Sequence, residues 1–495
     1  MKKSNKKFFS VLAMTAAFSA PIMLTGCANS SLQADETPQV YVTNIQKADP
    51  NAEGENNFII TYSNGKQAVI SLGGDTTSNV GIDDLFKKYQ EEHPNATYED
   101  FFSAYLTIDS KDNRQVINDC LNSCLKVYTE FCSTTTSNMG FWNPTVQQKA
   151  VSVMCGSAVI YEMNKSDNPA ENVTYVITNY HVIYNSNANE DNPNGKFARK
   201  IVGYLYGSEA SPVQSQTTGA DGYQTYDYGD YGIEFEYVGG SADHDIAILK
   251  TNTANILAIN GNAKAVEFAE NYQVGETAIA IGNPENAGIS VTEGVVSVDN
   301  EYIALNVDGE VRYHRSIRMD TAIYGGSSGG GLFNTAGKLI GITNAGNGTD
   351  QNINYAVPID VVRPVTSNIM RNYDGTTPST ATKIKLGIQV QGVESKYTYD
   401  PETKLSKIVE KILIEKVEDE SLAKDKLGIQ INDIIKAVKI NDVTVAFDRY
   451  FQIGDALLDI KADDVICFVV ERKNDADEME TLTLNEYTVK ATDLN

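Results

Sequence analysis

The sequence predicts a mainly β protein with more than one domain. Aliphatic and β-branched runs of strand length lie on both sides of a glycine-rich segment, Tyr324 to Phe333. Another pair of alternating runs surrounds Asn64-Gly65, a dipeptide typical of tight hairpin turns. Residues 375–382, GTTPSTAT, have the composition of a linker and are followed by further strand-like runs. This arrangement indicates separate β-rich regions before and after the linker.

Length and charge limit the possible classes of partner. The chain has 495 residues, enough for about three domains. Hydrophobic residues make up 41% of it and aromatic residues 9%, as in ordinary soluble globular proteins. The formal net charge is −25, from 40 basic and 65 acidic residues. Nucleic acid binding needs clustered positive charge, so this balance disfavours a nucleic acid partner and suits a solvated protein in an extracytoplasmic space.

The first 27 residues predict export and attachment to lipid. A charged segment, MKKSNKK, precedes an apolar run from Phe8 to Leu24 that is marginal in length for a membrane-spanning helix. The run ends in LTGC, which resembles a bacterial lipobox, and the resemblance implies that Cys27 is the lipidated first residue of the mature protein. Residues 28–39 are then a tether on the extracytoplasmic face of the cell membrane. A simple signal peptide and an uncleaved anchor are the alternatives.

Residues 40–140 are predicted to form an N-terminal α+β module whose function the sequence does not reveal. After the hairpin, GIDDLFKKYQEEHPNATYEDFFSAYLTI predicts one or two amphipathic helices broken at Pro94. Next, NRQVINDCLNSCLKVYTEFC predicts a helix that carries Cys120 and Cys124. Their i, i+4 spacing is awkward for a disulfide, so buried thiols are the preferred interpretation. Cys155 and Cys467 lie in predicted strands and are interpreted as small core residues.

The segment YGGSSGGGLF is a candidate site for backbone-assisted catalysis. Glycines between two strands indicate a backbone held close to another group, with its amides available, although a flexible linker is the alternative. One of the serines could act as a nucleophile, and neighbouring N–H groups could stabilise the charge that its attack creates. Such a serine needs a base, and the chain has only four histidines.

Two further residues complete a candidate catalytic set. His181 follows an apolar strand in VTYVITNYHVIY, where it could also be a satisfied, half-buried histidine. Asp245 precedes a compact strand in DHDIAILK, and a carboxylate at the edge of a core must be paired or hydrogen-bonded. The chain order His181, Asp245, Ser328 is that of chymotrypsin-type proteases. Of the other histidines, His93 is expected at the surface, and His314 lies among arginines that discourage its protonation.

The region from Ala150 to Asp374 resembles the trypsin-like protease domain of the HtrA/Deg family. The similar segments are CGSAVIY, TNYHV, DIAILK, AIAIGNP with TEGVVSV, DTAIYGGSSGGGL and INYAVPI. The resemblance implies a chymotrypsin-like domain of two six-stranded β-barrels over residues 150–375, with Ser328 rather than Ser327 as the nucleophile of the Gly-x-Ser-Gly-Gly core. The loop departs from the family at Tyr324-Gly325, Ser327 and Gly331. The additional glycine predicts a softer loop, in which the oxyanion hole need not be preformed at rest.

The resemblance and general chemistry assign a role to each residue of this set. His181 takes the proton of the Ser328 hydroxyl and later donates it to the leaving amine. Asp245 holds the imidazole in the required tautomer. The amides of Gly326 and Ser328 form the oxyanion hole. The resemblance implies no metal and no cofactor.

The primary specificity pocket is expected just before the nucleophile. In chymotrypsin-type folds its base lies about six residues upstream of the serine, which corresponds to Ala322 here. Ala322 and Ile323 predict a small apolar pocket for Val, Ala, Ile or Leu. Asp320 lies two positions earlier and is not excluded from the pocket by strand alternation.

An insertion rich in Asn, Gly, Tyr and Ser separates the candidate base from the candidate aspartate, at residues 185–231. Its segment GADGYQTYDYGDYG has no apolar period. A flexible surface loop is favoured over an aromatic contact for a substrate or partner.

Residues 383–495 resemble a PDZ domain (α+β) of the permuted type attached to HtrA-like proteases. The similar segments are KIKLGIQV, LGIQINDIIKAVKINDVTV and LLDIKADDVICFVVERK, with Asn432 in place of a glycine. The resemblance implies that Leu386, Gly387 and Ile388 form the loop whose amides bind a peptide C-terminus while the peptide adds a strand. For the LGI tripeptide alone, a plain strand start is the alternative.

These features predict a membrane-anchored, extracytoplasmic serine endopeptidase that cleaves unfolded or damaged proteins. Its expected partners are protein or peptide substrates, C-terminal peptides at the PDZ domain and the lipid membrane at Cys27. The family resemblance adds a possible homotrimer, although the N-terminal segment is dissimilar to the family's. Two rival hypotheses are a regulatory protease with a single membrane-associated substrate and a catalytically weak chaperone or peptide-binding protein on a protease fold.

Overall fold

The computed structural model divides the chain into two compact units, Met1–Ser110 and Lys111–Asn495. It describes residues 113–188 with gaps at 138–145, 165–167 and 169–170, and residues 195–494 with gaps at 348–349 and 401–404. In the first unit it describes residues 42–47, 56–62, 67–72, 90 and 94. Cys27, the predicted tether and nearly all of the predicted helices around Pro94 lie outside the described residues. No helix in the described part of the chain is both long enough and apolar enough to cross a membrane.

The described part of the first unit is a three-stranded antiparallel sheet. Its strands are β1 (Val42–Lys47), β2 (Asn56–Tyr62) and β3 (Gln67–Leu72), in the order β1-β2-β3. Strands β2 and β3 pair from Thr61↔Gln67 to Asn56↔Leu72, which confirms the predicted hairpin.

The second unit begins with a helix and a closed antiparallel barrel. The elements are α1 (Asn113–Leu121), β4 (Cys124–Ser137), β5 (Val146–Met163), β6 (Val173–Thr178), α2 (Tyr180–Ile183), β7 (Lys200–Leu205), β8 (Val213–Thr218), β9 (Gln224–Asp227), β10 (Ile233–Ser241) and β11 (Ile246–Asn252). Strands β4, β5, β6, β11, β10 and β7 pair in a ring, because β10 and β11 join the two ends of the sheet. Leu125, Val127 and Phe131 alternate along β4 and are buried in the barrel core.

Strand β4 corrects two predictions. The N-terminal module was expected to reach residue 140 and the barrels to begin at 150, yet β4 pairs with both β5 and β7 and is a full barrel strand. The predicted helix ends at Leu121, so Cys120 lies on α1 and Cys124 begins β4. No disulfide joins the described cysteines; Cys120, Cys124 and Cys467 are buried, as expected, and so is Cys132, but Cys155 is only partly buried.

The insertion is also more ordered than predicted. Strand β7, within residues 185–231, is a barrel strand that pairs with β4 and β10. Strands β8 and β9 form a separate hairpin. Tyr204, Tyr223 and Tyr228 are buried, so much of the segment packs on the barrel instead of forming a flexible loop.

A second closed antiparallel barrel follows. The elements are α3 (Thr253–Ile259), β12 (Glu267–Phe268), β13 (Thr277–Gly282), β14 (Ser290–Asn306), β15 (Val311–Met319), β16 (Gly331–Phe333), β17 (Lys338–Asn347), β18 (Asp350–Pro358) and α4 (Ile359–Asn372). Strands β13, β14, β15, β18, β17 and β16 close the ring. The mainly β architecture with six-stranded barrels is therefore confirmed.

The predicted linker is tied to the first barrel. A short strand, β19 (Ser379–Thr380), pairs in parallel with Gly239 and Gly240 of β10. The Ser379 hydroxyl donates to the carbonyl of Ile369 at 2.7 Å. Gly239 permits this approach, because a Cβ there would overlap the Ser379 carbonyl. The composition of residues 375–382 suggested a spacer, but backbone pairing holds the segment in place.

The C-terminal region is a sheet with its own apolar core. Its elements are β20 (Ile388–Asp400), β21 (Leu405–Val417), β22 (Ile434–Ile440), β23 (Val443–Ala446), α5 (Gln452–Leu457), β24 (Val465–Lys473), β25 (Met479–Thr483) and β26 (Tyr487–Thr488). The main sheet order is β20-β21-β22-β24-β25. Arg449 reaches the second barrel and pairs with Asp299 at 2.7 Å.

Candidate active site

The candidate catalytic residues come from three loops that the two barrels bring together. His181 lies in α2, one turn of helix directly after β6. Asp245 lies in the turn between β10 and β11. Ser328 lies in the loop between β15 and β16 of the second barrel. Strand ends therefore position all three residues, as the sequence predicted.

His181 and Asp245 form a tight pair, in which the Asp245 side chain is fully buried and the His181 side chain is 30% exposed. The imidazole Nδ1 lies 2.9 Å from Oδ2 and 3.0 Å from Oδ1 of Asp245, and the backbone N–H of His181 donates to Oδ1 at 3.1 Å. Asp245 is 0% exposed, and its backbone has a φ of 53°, in the left-handed region. The Asn179 amide donates to its carbonyl at 2.8 Å and stabilises this turn. A carboxylate can only accept hydrogen bonds, so the Nδ1 atom that faces it carries the proton. Nε2 is then unprotonated and can act as a base.

The environment raises the pKa of His181 above its ordinary value. Burial disfavours the imidazolium, but the attraction of the Asp245 carboxylate and its hydrogen bond to Nδ1 outweigh that effect. The imidazolium that forms when a histidine accepts a proton from serine is therefore stabilised in place.

The Ser328 hydroxyl occupies a resting position. It donates to the carbonyl of Asn344 at 3.2 Å, and within the described residues it makes no hydrogen bond to His181. Proton transfer to His181 thus requires rotation about the Cα–Cβ bond of Ser328. Such long or misaligned contacts are common in unliganded sites and tighten when substrate binds.

Ser157 of β5 connects the barrels beneath the nucleophile. Its N–H donates to the carbonyl of Ser328 at 2.8 Å, and its hydroxyl donates to the carbonyl of Gly326 at 2.9 Å. The N–H of Asn283 donates to the same hydroxyl at 2.8 Å. A Cβ at Gly329 would overlap the Ser157 carbonyl, and Gly329 has a φ of +87°. The glycine at this position is therefore required for the close approach of the two barrels.

Two amides of the loop are available to bind an anion. The N–H groups of Gly326 and Ser328 donate no hydrogen bond within the described part of the chain. The preceding carbonyl, that of Gly325, accepts from the N–H of Glu285 at 2.6 Å. In a trans peptide the C=O and the N–H point in opposite directions, so the Gly326 N–H is directed away from Glu285. The predicted oxyanion donors are thus unpaired, as an oxyanion hole requires.

Ser327 has a structural position. Only 5% of its surface is exposed, and its hydroxyl accepts from the N–H of Tyr324 at 3.3 Å. Its carbonyl accepts from the hydroxyl of Thr343 at 2.7 Å. These contacts brace the loop and direct the side chain away from a role as nucleophile.

Asn354, which was not predicted as a site residue, lies in the barrel beside the nucleophile loop. Ile323 is 9% exposed and belongs to the core of the second barrel. The carbonyl of Ala322 accepts a hydrogen bond from the Thr292 hydroxyl at 2.7 Å. Across from Ile323, Asn354 is 1% exposed. A Cβ built on the exposed Gly346 would lie 2.8 Å from Asn354 Oδ1 and 3.7 Å from Ile323 Cγ1. The Asn354 amide therefore lies near Ile323, one of the two residues predicted to line the pocket.

Asp320 does not share that position. It is exposed, and its Oδ1 accepts from the N–H of Val295 at 2.7 Å. The carboxylate is thus engaged by the backbone of β14 at the rim of the barrel, where it cannot form the base of a pocket for Lys or Arg.

The missed residues gave no local signal in the sequence. Ser157, Asn283 and Asn354 each lie in a segment that the sequence analysis quoted, but only tertiary contacts give them a role. His314 is buried, and its pKa is lowered chiefly by burial, which agrees with the prediction that its protonation is disfavoured.

In the C-terminal region the predicted peptide-binding loop also has N–H groups that donate no hydrogen bond within the described residues. The carbonyls of Leu386 and Gly387 accept from the N–H groups of Ala423 and Glu418 at 3.0 and 2.8 Å. The N–H groups of Leu386 and Gly387 donate to no described residue. Gly387 has a φ of +77°, and a Cβ there would collide with Ser421. Strand β20 follows at the edge of its sheet.

Known proteins resemble this chain in sequence. Residues 156–342 match the family model for the trypsin-like peptidase domain. The chain is 34% identical over 216 residues to the serine endoprotease DegS of Haemophilus influenzae, an alignment that covers 42% of this chain and 55% of the relative. It is 28% identical over 323 residues to a probable periplasmic serine endoprotease, DegP-like, of Rickettsia conorii, covering 63% of this chain and 51% of the relative.

Among solved structures, an HtrA-type protease, AlgW, with a decapeptide is 20% identical; the match covers 76% of this chain and 98% of that chain, with a TM-score of 0.44. The chain spans about half the length of the two curated relatives. Residues 156–342 therefore match the trypsin-like peptidase domain, and over part of its length the chain is similar to DegS- and DegP-like serine endoproteases.

Proposed function

We propose that this protein is a serine endopeptidase with His181, Asp245 and Ser328 as its catalytic triad. The observation that carries the proposal is the hydrogen-bonded pair of His181 and the buried Asp245, beside a serine loop with two amides that donate to no described residue. Ser328 attacks the scissile carbonyl, His181 takes and then returns the proton, and Asp245 stabilises the imidazolium. The amides of Gly326 and Ser328 bind the oxyanion of the tetrahedral intermediate.

A serine-directed fluorophosphonate probe tests the assignment directly. The wild-type protein should be labelled at Ser328, and Ser328→Ala should abolish both labelling and turnover of a denatured protein. Ser327→Ala is the matched control: it should only reduce turnover, because it weakens the bracing of the loop without removing the nucleophile. Loss of a triad member lowers kcat by about 10⁴- to 10⁶-fold. Turnover by the Ser328 variant at the wild-type rate would refute the triad.

The natural substrates are unfolded or damaged proteins, and the C-terminal region is a PDZ domain that binds their C-termini. The unpaired N–H groups of Leu386 and Gly387, next to the edge strand β20, support this proposal because a carboxylate and an added strand need such donors. A regulatory protease with a single membrane-associated substrate uses the same machinery. A comparison of new protein termini in cells with active and inactive enzyme separates the two, since only general clearance yields many cleaved proteins.

A catalytically weak chaperone or peptide-binding protein is the rival that one observation favours. The Ser328 hydroxyl is bonded to Asn344 instead of His181, a geometry compatible with an inactive protein. Probe labelling with and without C-terminal peptides decides the matter: absence of labelling under both conditions supports the rival.

The protein is further proposed to be held on the extracytoplasmic face of the cell membrane by lipid on Cys27. The lipobox-like LTGC supports this. A homotrimer rests on the family resemblance alone and is tested by the mass of the protein in solution.

A further inference from the structure

The orientation of the Gly325–Gly326 peptide depends on a neighbouring loop, residues 283–289. The N–H of Glu285 holds the Gly325 carbonyl at 2.6 Å, and the Gly326 N–H of the same trans peptide therefore points away from Glu285. Gly325 is exposed, and no atom lies within 4 Å of a Cβ built on it. The nucleophile loop itself therefore places few constraints on this peptide.

The loop of residues 283–289 has an unfavourable backbone conformation. Glu285 and Asn286 have φ angles of 51° and 60°, in the left-handed region. Such consecutive non-glycine residues persist only when their surroundings hold them there. Both side chains are exposed, so core packing of these residues does not supply that restraint.

The restraint comes from the first barrel, through hydrogen bonds to this loop. The Tyr128 hydroxyl of β4 donates to Asn286 Oδ1 at 2.6 Å, and the Lys126 ammonium lies 3.5 Å from the Asn286 carbonyl. Glu209, from the insertion, accepts the N–H of Ile289 at 3.2 Å. Tyr128 and Lys126 are 2% and 3% exposed. Buried polar groups need partners, and here the loop supplies them.

The tyrosine-rich insertion fixes Tyr128 in place. The Tyr128 ring packs against Tyr204 and Tyr228, with ring centroids 6.1 and 6.2 Å apart. The Tyr204 hydroxyl donates to the Tyr228 carbonyl at 2.5 Å, and the Tyr228 hydroxyl donates to Glu130 at 2.9 Å. This layer covers the outer face of β4 and leaves the Tyr128 hydroxyl directed at the loop.

We propose that the insertion acts through Tyr128 and Asn286 to hold the Gly325–Gly326 peptide in the orientation that exposes the Gly326 N–H. Tyr128 is then a positioning residue for the oxyanion hole, and the insertion of one barrel supports catalysis by the other. This inference rests on the proposed endopeptidase function.

Tyr128→Phe is the direct test, because it removes one hydroxyl and keeps the ring. It should lower kcat at least tenfold, and at most by the roughly 10²- to 10³-fold seen when an oxyanion donor is removed altogether, with KM nearly unchanged. Binding of a peptide boronic acid, whose anionic adduct occupies the oxyanion hole, should weaken by a similar factor. Tyr223→Phe is the matched control: it deletes another buried hydroxyl of the insertion, which lies 3.0 Å from the Thr134 hydroxyl and outside the layer of Tyr128, Tyr204 and Tyr228, and it should leave both measurements within about twofold.

A double-mutant cycle isolates the Tyr128–Asn286 contact. Asn286 is exposed and has a φ of 60°, so Asn286→Gly removes the acceptor without disturbing the core or straining the backbone; it should reproduce the Tyr128→Phe defect, and the double variant should be no worse than either single variant. Asn286→Asp, which keeps the acceptor, should retain most activity. If Tyr128→Phe is unstable, the Asn286 variants decide the question.

Two failures are distinguishable. An inactive, unlabelled wild-type protein would refute the proposed function. An active wild type in which Tyr128→Phe matches Tyr223→Phe, or in which the Tyr128 and Asn286 effects simply add, would overturn the positioning role.

Discussion

Replacing Asp245 by Asn should convert the general base into its wrong tautomer. The carboxylate accepts from both the backbone N–H and the Nδ1 of His181. An Asn in the same buried position presents its NH₂ group to Nδ1, which must then accept. The proton moves to Nε2, where the lone pair is needed to receive the proton of Ser328.

The size of the effect follows from the contacts that are lost. Hydrogen bonds to a charged group contribute about 1.5–3 kcal/mol each; in Asp245→Asn the bond to Nδ1 is lost, and the backbone N–H of His181 keeps only a neutral carbonyl as its acceptor. At about 1.4 kcal/mol per tenfold in rate, loss of one to two such contacts corresponds to about 10- to 10⁴-fold in kcat. The upper end agrees with the loss of about 10⁴-fold for the same change in a comparable triad.

The pH profile of kcat/KM supplies a second measurement. The base must be neutral, so activity rises with pH through the pKa of His181, which the carboxylate raises. In Asp245→Asn the carboxylate no longer attracts the imidazolium, and burial lowers the pKa of His181. The rise of the residual activity with pH should therefore occur at lower pH than in the wild type.

Asp243→Asn is the control for charge alone. Asp243 lies in the same turn but is half-buried and pairs with Arg312 at 2.6 Å and Lys383 at 2.5 Å. Its loss should change kcat by no more than a few fold. The reasoning fails if Asp245→Asn keeps more than a tenth of the wild-type kcat, or if its acid limb stays where the wild type has it.

Four further changes have defined outcomes. Cys27→Ser should release the protein from the membrane fraction while peptidase activity persists; retention in the membrane contradicts lipid attachment. Peptides with free apolar C-termini should bind at residues 386–388 and lose binding on amidation, whereas equal binding of both forms excludes carboxylate capture. Denatured protein should be cut after Ala, Val, Ile or Leu. Asn354→Gly should raise cleavage after Leu relative to cleavage after Ala by about tenfold, because it removes an amide near Ile323. An unchanged ratio in the variant, or dominant cleavage after Lys or Arg, would contradict the predicted pocket. Gly325→Ala should stabilise the protein by about 0.4–1 kcal/mol and preserve kcat, because space is open there; a lower melting temperature contradicts this.

The parts of the site that could be predicted from the sequence are those with local signals. His181 follows the apolar end of β6, and Asp245 precedes the apolar start of β11, so a strand boundary marks each residue. The Gly-x-Ser-Gly-Gly core marks Ser328. Chain order then linked three weak signals that lie far apart in sequence.

Strand β4 was missed because its sequence fits two periods. Val116, Cys120 and Cys124 recur at helical spacing, and Val127 and Phe131 continue that spacing. Within β4 alternate residues face the barrel core, and the long-range pairs with β5 and β7 select the strand. Non-local pairing of this kind cannot be derived from a single segment.

The tyrosine-rich insertion was misjudged for a related reason. Tyrosines that pack outside a barrel in a second layer have neither the alternation of a strand nor the period of a helix. Tyr204 and Tyr228 are buried through contacts with Tyr128, a residue of β4. Because β4 itself was assigned to a helix, the sequence offered no surface for these rings to cover.

The glycines of the nucleophile loop differ in why glycine is present at each position. A Cβ at Gly326 or Gly329 would overlap the carbonyl of Asn283 or of Ser157, so glycine is needed there for close packing. Gly325 meets nothing, and no close contact requires glycine at that position. The softness that the sequence predicted is therefore concentrated in the Gly325–Gly326 peptide, which contains the Gly326 N–H that an oxyanion needs. Restraint of that peptide must come from outside the loop, and the hydrogen bond from Glu285 is the contact that supplies it.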